Sequence, residues 1–92
     1  MDRILTLTPD ALAEELVGLI RERLLDTRPG FDADSDLYEH GLDSMALMQL
    51  LVLVEGKYRV VIDEARVTAD AFRTARRIAQ LILSERLLPE NS

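Results

Sequence analysis

GLDSMALMQLLVLVEGKY, residues Gly41–Tyr58, is the stretch that decides the fold. It opens on a glycine and an aspartate, then runs on as an aliphatic series without proline. Asp43 is the expected N-cap, with Leu42 at N′ and Leu47 at N4, the two positions of a hydrophobic staple. The spacing predicts a helix from about Ser44 to Tyr58, weakened near its end by Gly56. At about 100° per residue, Leu47, Leu51, Val54 and Tyr58 cluster on one side, the expected core face. Met45, Met48 and Val52, with Gln49 beside them, fall on roughly the opposite side. That second set is an expected exposed apolar stripe adjoining Ser44.

Toward the N-terminus, Thr8-Pro9-Asp10 is a helix start. Thr8 caps, Pro9 suits the first helical position and Asp10 complements the dipole. Leu12, Leu16, Leu19, Ile20 and Leu24 recur at helical spacing and fade near Leu25, before Pro29 and Gly30. Residues 26–43 form a long connection in which Phe31, Leu37, Tyr38 and Leu42 are the apolar pins. Toward the C-terminus, Val60-Val61-Ile62 reads as an extended connector. A short third helix fits Asp63 to Arg66 or Val67 to Phe72. Thr74 caps a last helix with Ile78, Leu81 and Ile82 inward, reaching Leu88 before Pro89, and the tail from Pro89 to Ser92 is expected to fray. The expected fold is all-α: a small four-helix bundle of three long helices and one short one, with a long loop between the first and second. Residues 1–92 are expected to form a single domain, with an ordered core from about 9 to 88.

Composition limits what such a bundle can do. The chain has 92 residues, enough for one modest core, and is 48% hydrophobic but only 4% aromatic. Without cysteine it has neither a disulfide framework nor a thiolate metal site. No apolar run approaches the ~18 residues of a membrane span, and the acids Asp2, Asp10, Glu14 and Glu15 do not suit a secretory signal. A cytoplasmic protein is expected. The net charge of −6 argues against nucleic acid. Acids concentrate in residues 31–55 (Asp32, Asp34, Asp36, Glu39, Asp43, Glu55), where there is no Lys or Arg. Bases concentrate in residues 56–80 (Lys57, Arg59, Arg66, Arg73, Arg76, Arg77). One end of the molecule is thus expected to be negative and another mildly positive, or both are solvated faces.

Ser44 is the residue with the most chemistry in reach and the fewest partners to perform it. A hydrolase needs a base and an oxyanion hole. The single histidine, His40, lies four residues earlier, and no G-x-S-x-G elbow is present, since Met45 and Ala46 follow the serine. Asp32, Asp34 and Asp36 alternate like a calcium loop, but Leu37 and Asp43 occupy the positions that need Gly and Glu. No metal site and no catalytic residue is therefore expected. Ser44 reads as a residue on which chemistry is done in trans. An unmodified helical module that binds partners through Met45, Met48 and Val52 is the other reading.

Leu37-Tyr38-Glu39-His40-Gly41-Leu42-Asp43-Ser44-Met45 and the helix after it resemble the phosphopantetheine attachment motif of acyl carrier proteins. The order of first helix, long loop, connector and Phe72-Arg73-Thr74 before the last helix is similar to that family over most of the chain. The resemblance implies a non-catalytic carrier whose Ser44 is esterified with 4′-phosphopantetheine from coenzyme A. A phosphopantetheinyl transferase installs the arm, and the arm's thiol holds acyl or aminoacyl groups as thioesters. It also implies an acyl- or aminoacyl-loading ligase, a downstream acyltransferase or synthase, and a monomer. Leu42, Asp43, Met45, Met48, Gln49 and Val52 are then the expected partner-binding residues. Fatty-acid-type carriers often have acids where Ala46 and Gln49 stand here, with only Glu55 left on this helix. The pattern is more similar to D-alanyl, aminoacyl and some secondary-metabolism carriers.

Overall fold

A computed structural model describes residues 8–85. Three α-helices form in chain order: α1 (Pro9–Arg23), α2 (Ser44–Tyr58) and α3 (Ala75–Ser84). Single 3-10 turns, Tyr38–His40 and Glu64–Arg66, lie in the two connections.

Each α-helix starts on a side-chain cap. Thr8 Oγ1 accepts from the Ala11 N–H at 3.0 Å, Asp43 Oδ1 from Ala46 at 2.9 Å and Thr74 Oγ1 from Arg77 at 3.1 Å. These bonds occupy donors that no helical carbonyl can reach. Pro9 begins α1, Asp10 lies in its first turn, and Arg21 and Arg23 lie in its last, as the helix dipole favours.

α1 and α3 are the closest-packed pair of elements. Small side chains permit this: Ala13, Ala75 and Ala79 are wholly buried between Leu12, Leu16, Ile20, Ile78 and Ile82. α2 completes the core with Leu50, Val54 and Tyr58, and the Tyr58 hydroxyl donates to Glu15 Oε1 on α1 at 3.0 Å.

The short helix expected between residues 63 and 72 is only the Glu64–Arg66 turn, so the described residues form three helices and not a four-helix bundle. Local bonds break the segment into separate turns. Asp63 Oδ1 takes the Ala65 N–H, Thr68 Oγ1 takes that of Ala71, and Arg73 N–H returns to Asp70. No run of i to i−4 bonds can build up against these competing partners. α3 ends at Ser84, where Glu85 receives Arg66 Nη1 at 2.6 Å and the Asp63 N–H at 2.9 Å. The expected extension to Leu88 and the fraying of Pro89–Ser92 fall outside the described residues.

The long first connection is pinned as expected. Phe31, Leu37 and Leu42 are buried, Tyr38 is half-buried, and Ala33 joins them in the core. The connection also binds the start of α3 directly. Leu37 N–H donates to Arg73 C=O at 2.8 Å, and Arg76 N–H donates to Ala33 C=O at 2.9 Å. Arg76 grips Asp34 (2.7 Å) and Asp10 (2.6 Å), and Arg73 reaches Asp36 (3.2 Å). Two acids of the acid-rich stretch and two bases of the base-rich one thus pair across the junction between the loop and the start of α3.

Candidate functional site

The site is built by a turn and a helix start placed end to end. Tyr38–His40 closes with Gly41 in the left-handed region, φ +101°. Gly41 N–H donates to Tyr38 C=O at 3.3 Å and Leu42 N–H to Leu37 C=O at 3.0 Å. This nested pair is the Schellman arrangement, whose left-handed position glycine adopts without steric cost. Its usual apolar contact unites Leu37 and Leu42, both in the core.

Leu42 was expected both as a pin of the connection and on the partner surface; it is only 5% exposed, so it serves as the pin and not as exposed surface. The sequence placed it next to reactive residues. What decides its direction is the carbonyl of Leu37, which holds the Leu42 backbone so that the side chain turns inward.

Asp43 follows as the N-cap, with extended backbone and an exposed side chain. Ser44 is then the first residue of α2 and is exposed. Among the described residues its hydroxyl makes no hydrogen bond, and neither do the N–H groups of Ser44 and Met45. A free hydroxyl thus stands beside free donors at the positive end of a helix. That set suits a phosphate ester on Ser44 Oγ, although the Asp43 carboxylate beside it adds a like charge.

His40 is not turned to this hydroxyl. Its Nδ1–H donates to Asp36 C=O at 3.0 Å, and its ring meets Phe31 edge-on at 5.0 Å. Asp32 is occupied within its own loop, where Oδ1 accepts from Asp34 N–H at 2.9 Å and Ser35 Oγ at 3.2 Å. Arg76 holds the Asp34 carboxyl below the usual carboxylate value. Tyr38, whose hydroxyl donates to Ala69 C=O at 2.9 Å, has its phenol raised by partial burial.

Beyond Ser44, the outer face of α2 carries Met45, Met48 and Val52, exposed to 72%, 57% and 66%, with Gln49 exposed beside them. The expected inner face needs one correction. Val54 and Tyr58 are buried, but Leu47 and Leu51 are only half-buried, and Leu50, absent from the expected set, is wholly buried. α2 is apolar nearly all round, so periodicity alone does not fix which side turns inward. Its one acid, Glu55, accepts the Ile62 N–H at 3.0 Å and ties down the connector. The exposed stripe is therefore uncharged along its length. Met45, Met48, Gln49 and Val52 line an open groove of about 480 Å³ together with Leu53 and Arg23. Leu53 and Arg23 escaped the sequence reading. Leu53 falls between the two assigned faces, and Arg23 arrives from another helix, a placement no local pattern encodes.

No described helix is long and apolar enough to cross a membrane. Comparison with the curated proteins finds no match. The profile of the phosphopantetheine attachment site family matches residues 14–82, which take in all of α2, α1 from Glu14 onward and α3 through Ile82. The match spans well over half of the chain, and the chain belongs to that phosphopantetheine-carrying family, whose members hold 4′-phosphopantetheine covalently.

Proposed function

We propose that residues 1–92 form one non-catalytic carrier domain and that Ser44 is the residue that receives the 4′-phosphopantetheine arm. The observation that carries this reading is the presentation of Ser44: first residue of α2, exposed, free of hydrogen bonds among the described residues, and within the matched segment. An outside enzyme can reach such a hydroxyl, and the lack of a local base fits a reaction catalysed in trans. Asp43 fixes the helix start, while Gly41 and Leu42 fix the turn that precedes it.

The arm then holds acyl or aminoacyl groups as thioesters. A phosphopantetheinyl transferase, an acyl- or aminoacyl-loading ligase and a downstream acyltransferase or synthase are the partners, and the carrier works as a cytoplasmic monomer. Met45, Met48, Gln49 and Val52, with Asp43 at their head, form the surface those partners meet. With no acid on that stripe, recognition rests on apolar shape and on adaptable methionine side chains. The same feature favours a dedicated carrier, D-alanyl, aminoacyl or secondary-metabolic, over a fatty-acid one.

Intact-mass measurement after incubation with a phosphopantetheinyl transferase and coenzyme A tests the assignment. The wild type should gain one phosphopantetheine-sized increment and Ser44→Ala none. An unmodified wild type, or an equally modified Ser44→Ala variant, overturns it. An unmodified interaction module predicts instead that Ser44→Ala keeps full partner binding and Met48→Asp loses it.

A further inference from the structure

The groove on the outer face of α2 begins next to Ser44 and contains one charge. Its walls are Met45, Met48, Val52 and Leu53, Gln49 sits among them, and Arg23 projects from the last turn of α1. Leu53 is half-buried yet is not among the apolar residues packed on the core, so its free side faces this groove. Arg23 is exposed, and its side chain forms no hydrogen bond or ion pair among the described residues. Arg59 shares this state, but it does not line the groove, and the other six described arginines are engaged. Arg66, Arg73, Arg76 and Arg77 each hold a carboxylate, while Arg21 and Arg28 each hold a backbone carbonyl.

We propose that this groove is a resting place for the acyl group tethered to Ser44, and that Arg23 makes it selective for cargo ending in a carboxylate. The inference rests on Ser44 being the attachment residue. Continuity supports the choice of occupant, since Met45, the residue after Ser44, is part of the groove wall. Gln49 is one turn and a half further on, about 7 Å along the helix axis. Tethering supplies the rest. A short flexible tether gives an effective concentration in the millimolar range, so an open groove too weak to hold free ligand is still substantially occupied. The apolar walls take a methylene chain, the Gln49 amide has both a donor and an acceptor for polar parts of the arm, and Arg23 takes the terminal anion. An exposed ion pair of this kind multiplies the equilibrium constant for docking by about 1.5 to 5. Cargo ending in an ammonium is disfavoured by the same charge, so among the carrier types proposed above the groove favours an acyl-loaded one over a D-alanyl or aminoacyl one.

Three arms of matched length separate these effects: adipoyl, hexanoyl and 6-aminohexanoyl, transferred to Ser44 from the corresponding stable amide analogues of acyl-coenzyme A. Intact mass first establishes loading, and failure to load counts against the Ser44 assignment itself. On loaded protein, ¹H–¹⁵N spectra should show shifts at Gln49, Leu53 and the Arg23 Nε–H relative to the uncharged arm. Those shifts should be larger for adipoyl than for hexanoyl, by a factor of at most about 5, and smallest for 6-aminohexanoyl. Arg23→Gln should make adipoyl and hexanoyl alike while the arm remains attached. Loaded protein in which the three arms perturb these groups equally, or not at all, overturns the proposal. So does an Arg23→Gln variant that keeps the adipoyl preference.

Discussion

α2 and α3 are both aliphatic helices in one small bundle, and they use their apolar residues in opposite ways. α3 turns Ala75, Ile78, Ala79, Leu81 and Ile82 inward and shows solvent Arg77, Gln80 and Ser84. α2 buries Leu50, Val54 and Tyr58 and leaves Met45, Met48 and Val52 in water on the other side. Folding alone accounts for α3, because every large apolar group on it is removed from solvent or partly so. It does not account for the outer face of α2, which gains nothing from the folded state. A helix that is apolar on both sides in a bundle that covers only one has a second surface to meet, and Ser44 stands at its head.

The strongest way to break the comparison is to truncate each helix. Ile78→Ala in α3 removes a wholly buried side chain and should cost about 2–5 kcal/mol, read as a lowered urea midpoint. Met48→Asp in α2 should change stability by no more than about 0.5 kcal/mol, while slowing installation of the arm on Ser44. Equal losses of stability from the two changes would mean that the outer face of α2 is structural after all.

The inner face of α2 can be sharpened in the same way. Leu50 is wholly buried and Leu51 half-buried. Leu50→Ala should therefore cost about 2–5 kcal/mol and Leu51→Ala about half as much. The reverse order, measured by denaturation, would restore the rotation first read from the sequence.

These two helices also mark what the sequence disclosed. Thr8, Asp43 and Thr74 are legible as caps because capping is local: a short polar side chain needs only the donor three residues on. The inward face of α3 is legible because polar residues mark the outward one. The rotation of α2 is not, because leucine, valine and methionine surround it and the choice falls to packing against α1 and α3. The site divides along the same line. Asp43, Ser44 and the exposed stripe follow from one helix and its start. The pairing of Asp34 and Asp36 with Arg76 and Arg73 does not, because it spans about forty residues.

A smaller effect is expected where the turn meets α2. Gly41 has φ +101°, and a Cβ built there would meet no atom within 4 Å. Any cost of Gly41→Ala is thus conformational and not a clash, about 1–2 kcal/mol for a residue forced into the left-handed region. Thermal unfolding measures it. A neutral Gly41→Ala would show that the Schellman turn does not hold Leu42 and Asp43 in place.

The smallest effect concerns the latch between the acidic loop and α3. Arg76 holds the Asp34 carboxyl below its ordinary value of 3.8, through a hydrogen bond and charge attraction. A carboxyl that ionises more readily when folded than when unfolded stabilises the fold in its charged form. That contribution is whole above the ordinary value and fades as pH falls through the lower, folded one. The pair is exposed, so solvent and salt weaken it. Asp34→Asn should therefore be slightly less stable than wild type at neutral pH, and the gap between their urea midpoints should close below about pH 4 and at high salt. A gap that stays constant from neutral to acid would mean that Asp34 acts through the shape of its loop and not through charge. The uncharged stripe of α2 would then be matched by a loop whose charges are equally idle in folding.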